Sequence, residues 1–261
     1  MTETPNFYEP ATPFKYPLLD TDFYADSTEI KRLKHFPHKV VRITEGTYDN
    51  RPLGSLKNQL KSTQYEYIEG RKILQRLNDH YHIPVPDFDI VIGSGNDQQV
   101  TYYTIVDKIS GKDLEYCSIK PREMKHVKKL VDELYGSIAQ YLWDTYQEGG
   151  WYLSDLVKDD SQLVYGKKKG EKQKRIYFVD IEPRLEYLDL QDSRTHTQVL
   201  ILAFNWLYEM IKSREYEFGS KLRHARQTLL NFANTVSPFN EYFPDVQMVK
   251  EELERGNFLE E

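Results

Sequence analysis

DFDIVIGSGNDQQVTYYTIVDKI, residues Asp87–Ile109, decides how the front of the chain is built. Two β-rich runs flank the turn GSGNDQ, whose glycine, asparagine and aspartate residues tolerate the backbone angles of a tight reversal. An antiparallel hairpin is expected here, with SGKDL (Ser110–Leu114) closing its second strand in a turn. Upstream, the chain is raggedly strand-like from Ser27, and HKVVRI (His38–Ile43) is its clearest strand. TEGTYDNRPLG (Thr44–Gly54) reads as a loop from its glycine, asparagine, aspartate and proline. Between that loop and the hairpin, Leu60, Ile68, Leu74, Leu77 and Tyr81 recur at helical spacing, which predicts a helix over 56–81. Pro84 and Pro86 end it.

Downstream the pattern changes. Val127, Leu130, Val131, Leu134, Ile138, Tyr141, Leu142 and Thr145 form an apolar stripe that predicts a long helix over 123–146, stopped by Gly149 and Gly150. A second hairpin follows, built from SQLVYG, the loop KKKGEKQK (Lys167–Lys174) and RIYFVDIE. Its basic loop reads as a solvated hairpin tip, with an acidic or phosphorylated partner as the other reading. Further helices are expected over 195–214, 219–234 and 245–256, the first of them apolar enough to be buried. A β-rich front and a helical back make the fold class α+β with segregated elements, not an alternating parallel sheet.

Composition narrows the function. The chain has 261 residues, 39% hydrophobic and 29% charged, which suits one large domain or two joined lobes. A net charge of −6 argues against a general nucleic-acid or anionic-membrane surface. The single cysteine, Cys117, excludes an intrachain disulfide and a thiolate metal cluster. The polar, proline-bearing stretch over 1–17 reads as an extended arm and not as a secretory signal. No apolar run approaches the roughly 20 residues of a membrane-spanning helix, so a cytoplasmic protein is expected. The seven histidines show no metal-ligand spacing.

Four segments, in order, resemble the protein-kinase-like superfamily, closest to its aminoglycoside-phosphotransferase and choline-kinase branch. IEGRKILQRLNDHYHIPVPDFDIVIG (Ile68–Gly93) is similar to that branch's first-lobe helix and the strand after it. YYTIVDKISGKDL (Tyr102–Leu114) resembles the strand and hinge that contact adenine, WYLSDLVKDDSQLVYG (Trp151–Gly166) the catalytic loop, and IYFVDIEP (Ile176–Pro183) the strand ending in the metal-binding aspartate. The resemblance covers roughly residues 25–235, with degenerate motifs. It implies a bilobed molecule: an arm over 1–24, a small β-rich lobe over 25–109 and a larger helical lobe over 110–261.

The resemblance also implies roles. Phosphoryl transfer needs positioning and charge neutralisation more than covalent chemistry. Asp155 matches the aspartate that orients the acceptor hydroxyl, and Asp180 and Asp160 match the magnesium-binding positions, with Asp159 as the alternative to Asp160. Asp180 also has a plainer reading, as an aspartate capping the backbone after a strand. Arg42 matches the lysine on the α- and β-phosphates of ATP, and Glu69 its partner, with Glu66 one turn earlier as the alternative. The adenine contacts fall on the carbonyl of Asp107 and the amide of Ile109.

The chain departs from the family at three places. No glycine lies between Met1 and Thr44, so no glycine-rich loop covers the phosphates. Leu153 and Ser154 stand where a histidine or arginine normally precedes the catalytic aspartate, and Arg42 and Asp160 replace a lysine and an asparagine. Two functions follow as expectations. The first is an ATP- and magnesium-dependent phosphotransferase acting on a hydroxyl, with a small-molecule acceptor favoured by the short segment after Asp180. The second is a pseudokinase scaffold that binds a protein partner and transfers nothing.

Overall fold

The computed structural model describes residues 18–19, 24–25, 28–33, 36–46, 69–94, 100–115, 119–153, 156, 162–180, 185–188, 193–236 and 244–255. They are α+β: small antiparallel sheets and a set of long helices. The chain divides into two units. The first holds 1–68, 86–110 and 167–172, and the second 69–85, 111–166 and 173–261.

The first unit is a sheet. Strands β1 (Leu18–Leu19), β3 (Thr28–Leu33), β4 (Phe36–Gly46), β6 (Val100–Asp107) and β5 (Phe88–Ser94) lie side by side in that order, and β2 (Tyr24–Ala25) pairs with β3. β4 and β6 are the central pair, antiparallel from Lys39↔Asp107 to Gly46↔Val100. The hairpin expected over Asp87–Ile109 forms as β5 and β6, registered from Phe88↔Val106 to Ser94↔Val100; the residues of its turn over 95–99 lie outside the described ones. Val41, Thr104 and Val106 are buried on this sheet. Thr44, Glu45 and Gly46 continue β4 instead of opening a loop, because they find strand partners in Tyr102, Thr101 and Val100. Ladder hydrogen bonds outweigh the local turn composition there.

The second unit is helical with two small sheets. The helix α1 (69–79) buries Ile73, Leu74 and Leu77. The stretch over 56–68 that was expected to extend it lies outside the described residues. It ends before the prolines, His82 takes a positive φ of 57°, and the extended segment beyond buries Ile83 and Val85. The helix α2 (Pro121–Glu148) starts on a proline at its first turn and stops at Gly149, whose φ is 69° and whose N–H reaches Thr145 O. Both are the residues that helix ends favour. Its buried stripe, including Val127, Val131, Leu134, Ile138 and Leu142, belongs to one core with α3 (Ser193–Phe218) and α4 (Arg223–Val236). Phe204 and Phe232 meet edge to face at 5.4 Å across α3 and α4. The helix α5 (Pro244–Arg255) adds Val246, Val249 and Leu253 to the buried set. No helix among the described residues is long and apolar enough to cross a membrane.

Ser110–Asp113 is a strand, β7, and not a turn. It joins β9 (Leu163–Lys167) and β10 (Arg175–Phe178) in a three-stranded sheet of order β10-β9-β7. Gly111 permits this approach: a Cβ there would stand 2.4 Å from Tyr165 O and 2.6 Å from Gly166 Cα. Backbone atoms cannot swing aside, so Gly111→Ala should force β7 away from β9 and cost about 1–3 kcal/mol in thermal denaturation. An alanine variant of full stability would show that the strands are not held this close. A second small sheet pairs β8 (Gly150–Leu153) with β11 (Leu185–Leu188).

Tyr141, on α2, is buried and accepts a hydrogen bond from Leu153 N at 3.0 Å. Burial pushes its phenol up to about 12, although the Leu153 N–H pulls the other way. A tyrosine in the unfolded chain titrates near 10. The folded state therefore keeps its proton while the unfolded chain releases one. The stabilisation is whole below pH 10 and is lost as the pH rises to 12, of the order of 3 kcal/mol. Tyr141→Phe should flatten that part of the alkaline unfolding curve. An unchanged curve would mean the phenol titrates normally.

Candidate active site

The side chain best placed by the structure is Asp180. It follows β10, whose Ile176, Tyr177 and Phe178 are all buried, so the strand that carries it is fixed from below. Two backbone hydrogen bonds pin the exit: Phe178 N donates to Pro84 O and Val179 N to Gln162 O, each at 2.9 Å. Asp180 itself is half-buried, and its Oδ2 accepts a hydrogen bond from Gln162 Nε2 at 3.3 Å.

Gln162 is a residue the sequence reading passed over. Its amide nitrogen goes to Asp180, while its own Oε1 is buried and has no hydrogen-bond partner among the described residues. A buried acceptor without a donor costs about 1–3 kcal/mol, a cost that a water or a bound ion removes. Magnesium is a hard cation that takes carboxylate and amide oxygens. The donor chemistry of Asp180 with Gln162 therefore fits a magnesium ion. Among the described residues no group of three histidine, cysteine, aspartate or glutamate side chains converges as a metal site, so further donors would come from residues outside them or from phosphate and water. The sequence signal was available in outline: Gln162 immediately precedes β9, whose register with β10 sets it opposite Val179, the residue before Asp180.

Asp107 and Ile109 sit where β6 leaves the sheet of the first unit. Lys108 N donates to His38 O at 2.8 Å on the β4 side, and Asp107 N to Asp87 O at 2.9 Å on the β5 side. Because backbone groups alternate sides along a strand, the Asp107 carbonyl points the same way as its N–H, past the end of β5. The Asp107 carboxylate is held by Lys39 Nζ at 3.1 Å. Asp107 ends β6, and Ile109 lies between β6 and β7.

Two of the other expected positions, Arg42 and Glu69, fall among the described residues. Arg42 is placed by its backbone in the middle of β4, between Ile30 of β3 and Thr104 of β6. Glu69 opens α1, and its carboxylate is taken by Lys72 Nζ at 2.7 Å. Asp155 and Asp160, and Asp159 beside them, lie outside the described residues, although Leu156 within the same stretch is completely buried. The basic loop is partly neutralised. Lys168 pairs with Asp87 and Lys174 with Glu123, each at 3.1 Å, and Glu171 accepts the Lys168 N–H.

No family model matches the sequence. No curated protein does either. Among solved structures, WaaP in complex with acyl carrier protein is 14% identical, with 93% of this chain and 87% of that chain covered and a TM-score of 0.37. A Toxoplasma gondii rhoptry antigen kinase domain is 12% identical, with 62% of this chain and 48% of that chain covered and a TM-score of 0.35.

Proposed function

We propose that the protein is a bilobed, kinase-like phosphotransferase that binds ATP with magnesium and delivers the γ-phosphoryl group to a hydroxyl. One observation carries the reading: a carboxylate, Asp180, at the fixed exit of a buried strand, paired with a glutamine that keeps an unused buried oxygen beside it. Asp180 and Gln162 hold the magnesium, with Asp160 or Asp159 as the further carboxylate. Bound there, the ion would neutralise charge on the phosphates. The Asp107 carbonyl and Ile109 amide take the adenine edge, and Arg42 takes phosphate oxygens. Asp155 accepts the proton of the attacking hydroxyl, so the new O–P bond forms as the γ-phosphoryl leaves ADP.

A small-molecule acceptor suits the short segment between Asp180 and α3. Only 181–192 lie there, and Leu185–Leu188 are spent on β11. The second reading is a nucleotide-binding scaffold without turnover. It is favoured by the absence of glycine between Met1 and Thr44 and by Leu153 and Ser154 ahead of Asp155. Thermal denaturation with ATP, with magnesium and with both tests nucleotide binding, and consumption of ATP over a panel of hydroxyl compounds separates the two readings. Stabilisation only by ATP and magnesium together supports the site, and stabilisation by neither rejects it.

A further inference from the structure

The second unit contains a cleft of about 410 Å³, lined on one side by the start of β10. Its floor is apolar, from Pro84, Leu130, Leu134 and Ile176. Around it stand three histidines from three different elements: His82 after α1, His126 on α2 and His224 on α4. Lys174 and Arg175 complete the rim at the start of β10.

His82 takes its positive φ of 57° in the turn that closes α1, where Ile83 N donates to Leu77 O at 2.9 Å. One feature shows that a histidine is seated in the cleft. His224 occupies its position only because residue 136 is glycine: a Cβ on Gly136 would stand 2.2 Å from its Cδ2. The charges also select a sign. Arg175 has no carboxylate partner among the described residues, so its planar fork is available. Lys174 is shared between Glu123 at 3.1 Å and the face of Tyr165, 4.7 Å from the ring centre. Glu133, the acid on the rim, is held by Lys129 at 3.4 Å.

We infer that this cleft binds a small anion with a flat apolar body, an aromatic phosphate monoester. Leu130 and Ile176 cover its ring while Arg175 takes two phosphate oxygens and the imidazoles donate to the third. The volume lies within the usual range for a small-molecule site, and apolar walls with a few convergent polar groups are how such sites are made.

Isothermal titration of the full chain with phenyl phosphate tests this, beside benzyl alcohol and inorganic phosphate. Phenyl phosphate should bind at least tenfold more tightly than either. Arg175→Gln should weaken it about tenfold, and Gly136→Ala, which evicts the His224 ring, about threefold. Both are judged on protein shown to be folded by circular dichroism. Asp180→Ala should leave this binding unchanged, which separates the cleft from the nucleotide site. Equal binding of inorganic phosphate, no binding of phenyl phosphate, or binding indifferent to both Arg175→Gln and Gly136→Ala overturns the inference. So would binding that disappears with Asp180→Ala.

Discussion

Glu215→Ala should cost about 3–5 kcal/mol of stability, a large share of the roughly 5–15 kcal/mol a folded domain has. Glu215 is completely buried near the end of α3. One carboxylate oxygen accepts Leu222 N at 2.7 Å and the other accepts Arg226 Nη1 at 3.0 Å. Arg226, itself buried, donates with its other nitrogen to Leu253 O at 3.0 Å and Glu252 O at 3.3 Å. One ion pair therefore ties α3 to the start of α4 and to the end of α5. Alanine at 215 leaves a buried guanidinium without its counter-charge and an amide without its acceptor. That imbalance carries the cost, more than any intrinsic strength of the pair. The double variant Glu215→Met with Arg226→Leu removes both charges and should recover most of the loss. Urea denaturation followed by circular dichroism reads both. A single variant losing under about 1 kcal/mol would show that the pair is hydrated in solution.

Asp180→Ala should abolish phosphoryl transfer while leaving the unfolding midpoint close to that of the unaltered protein. The side chain is half-buried at the end of β10, and the strand is pinned by backbone bonds that the substitution does not touch. A fold lost together with the activity would assign Asp180 to structure. Gln162→Leu separates the roles further. It removes an amide that donates to Asp180 and an oxygen that has no hydrogen-bond partner among the described residues. It should raise the magnesium requirement for ATP binding severalfold and leave stability within about 1 kcal/mol.

Much of the fold was legible because the sequence states it in periods. The stripe from Val127 to Thr145 and the stops at Gly149 and Gly150 give α2 almost to its ends. The alternation around GSGNDQ gives β5 and β6, and the apolar run at Val199–Tyr208 falls within α3. What misled was chemistry decided at a distance. SGKDL reads as a turn by composition, yet Ser110–Asp113 pair with β9 because Gly111 lets two backbones touch. Thr44–Gly46 read as loop and are strand because β6 lies beside them. β8 and β11 are too short to carry a pattern of their own.

The candidate site divides in the same way. Asp180 was legible because an aspartate after an apolar strand is a local signal. Gln162 was not, because its meaning comes from the pairing of Leu163 with Phe178, which sets it opposite Val179 and within reach of the Asp180 carboxylate. The groups of Asp107 and Ile109 proposed for adenine are backbone atoms, and backbone chemistry leaves no mark in the choice of side chains. The cleft between α2, α4 and β10 gave no signal either. Its histidines at 82, 126 and 224 are far apart in sequence, and the glycine that seats one of them looks like any other helical glycine.

The most direct measurement is isothermal titration of ATP into the purified protein, with and without magnesium, for the unaltered chain and for Asp180→Ala. A carboxylate without metal repels a polyphosphate, and the ion reverses that sign. Binding that needs magnesium and disappears in Asp180→Ala is the predicted result. Absence of binding in both conditions, or binding that neither magnesium nor Asp180 affects, would contradict the site.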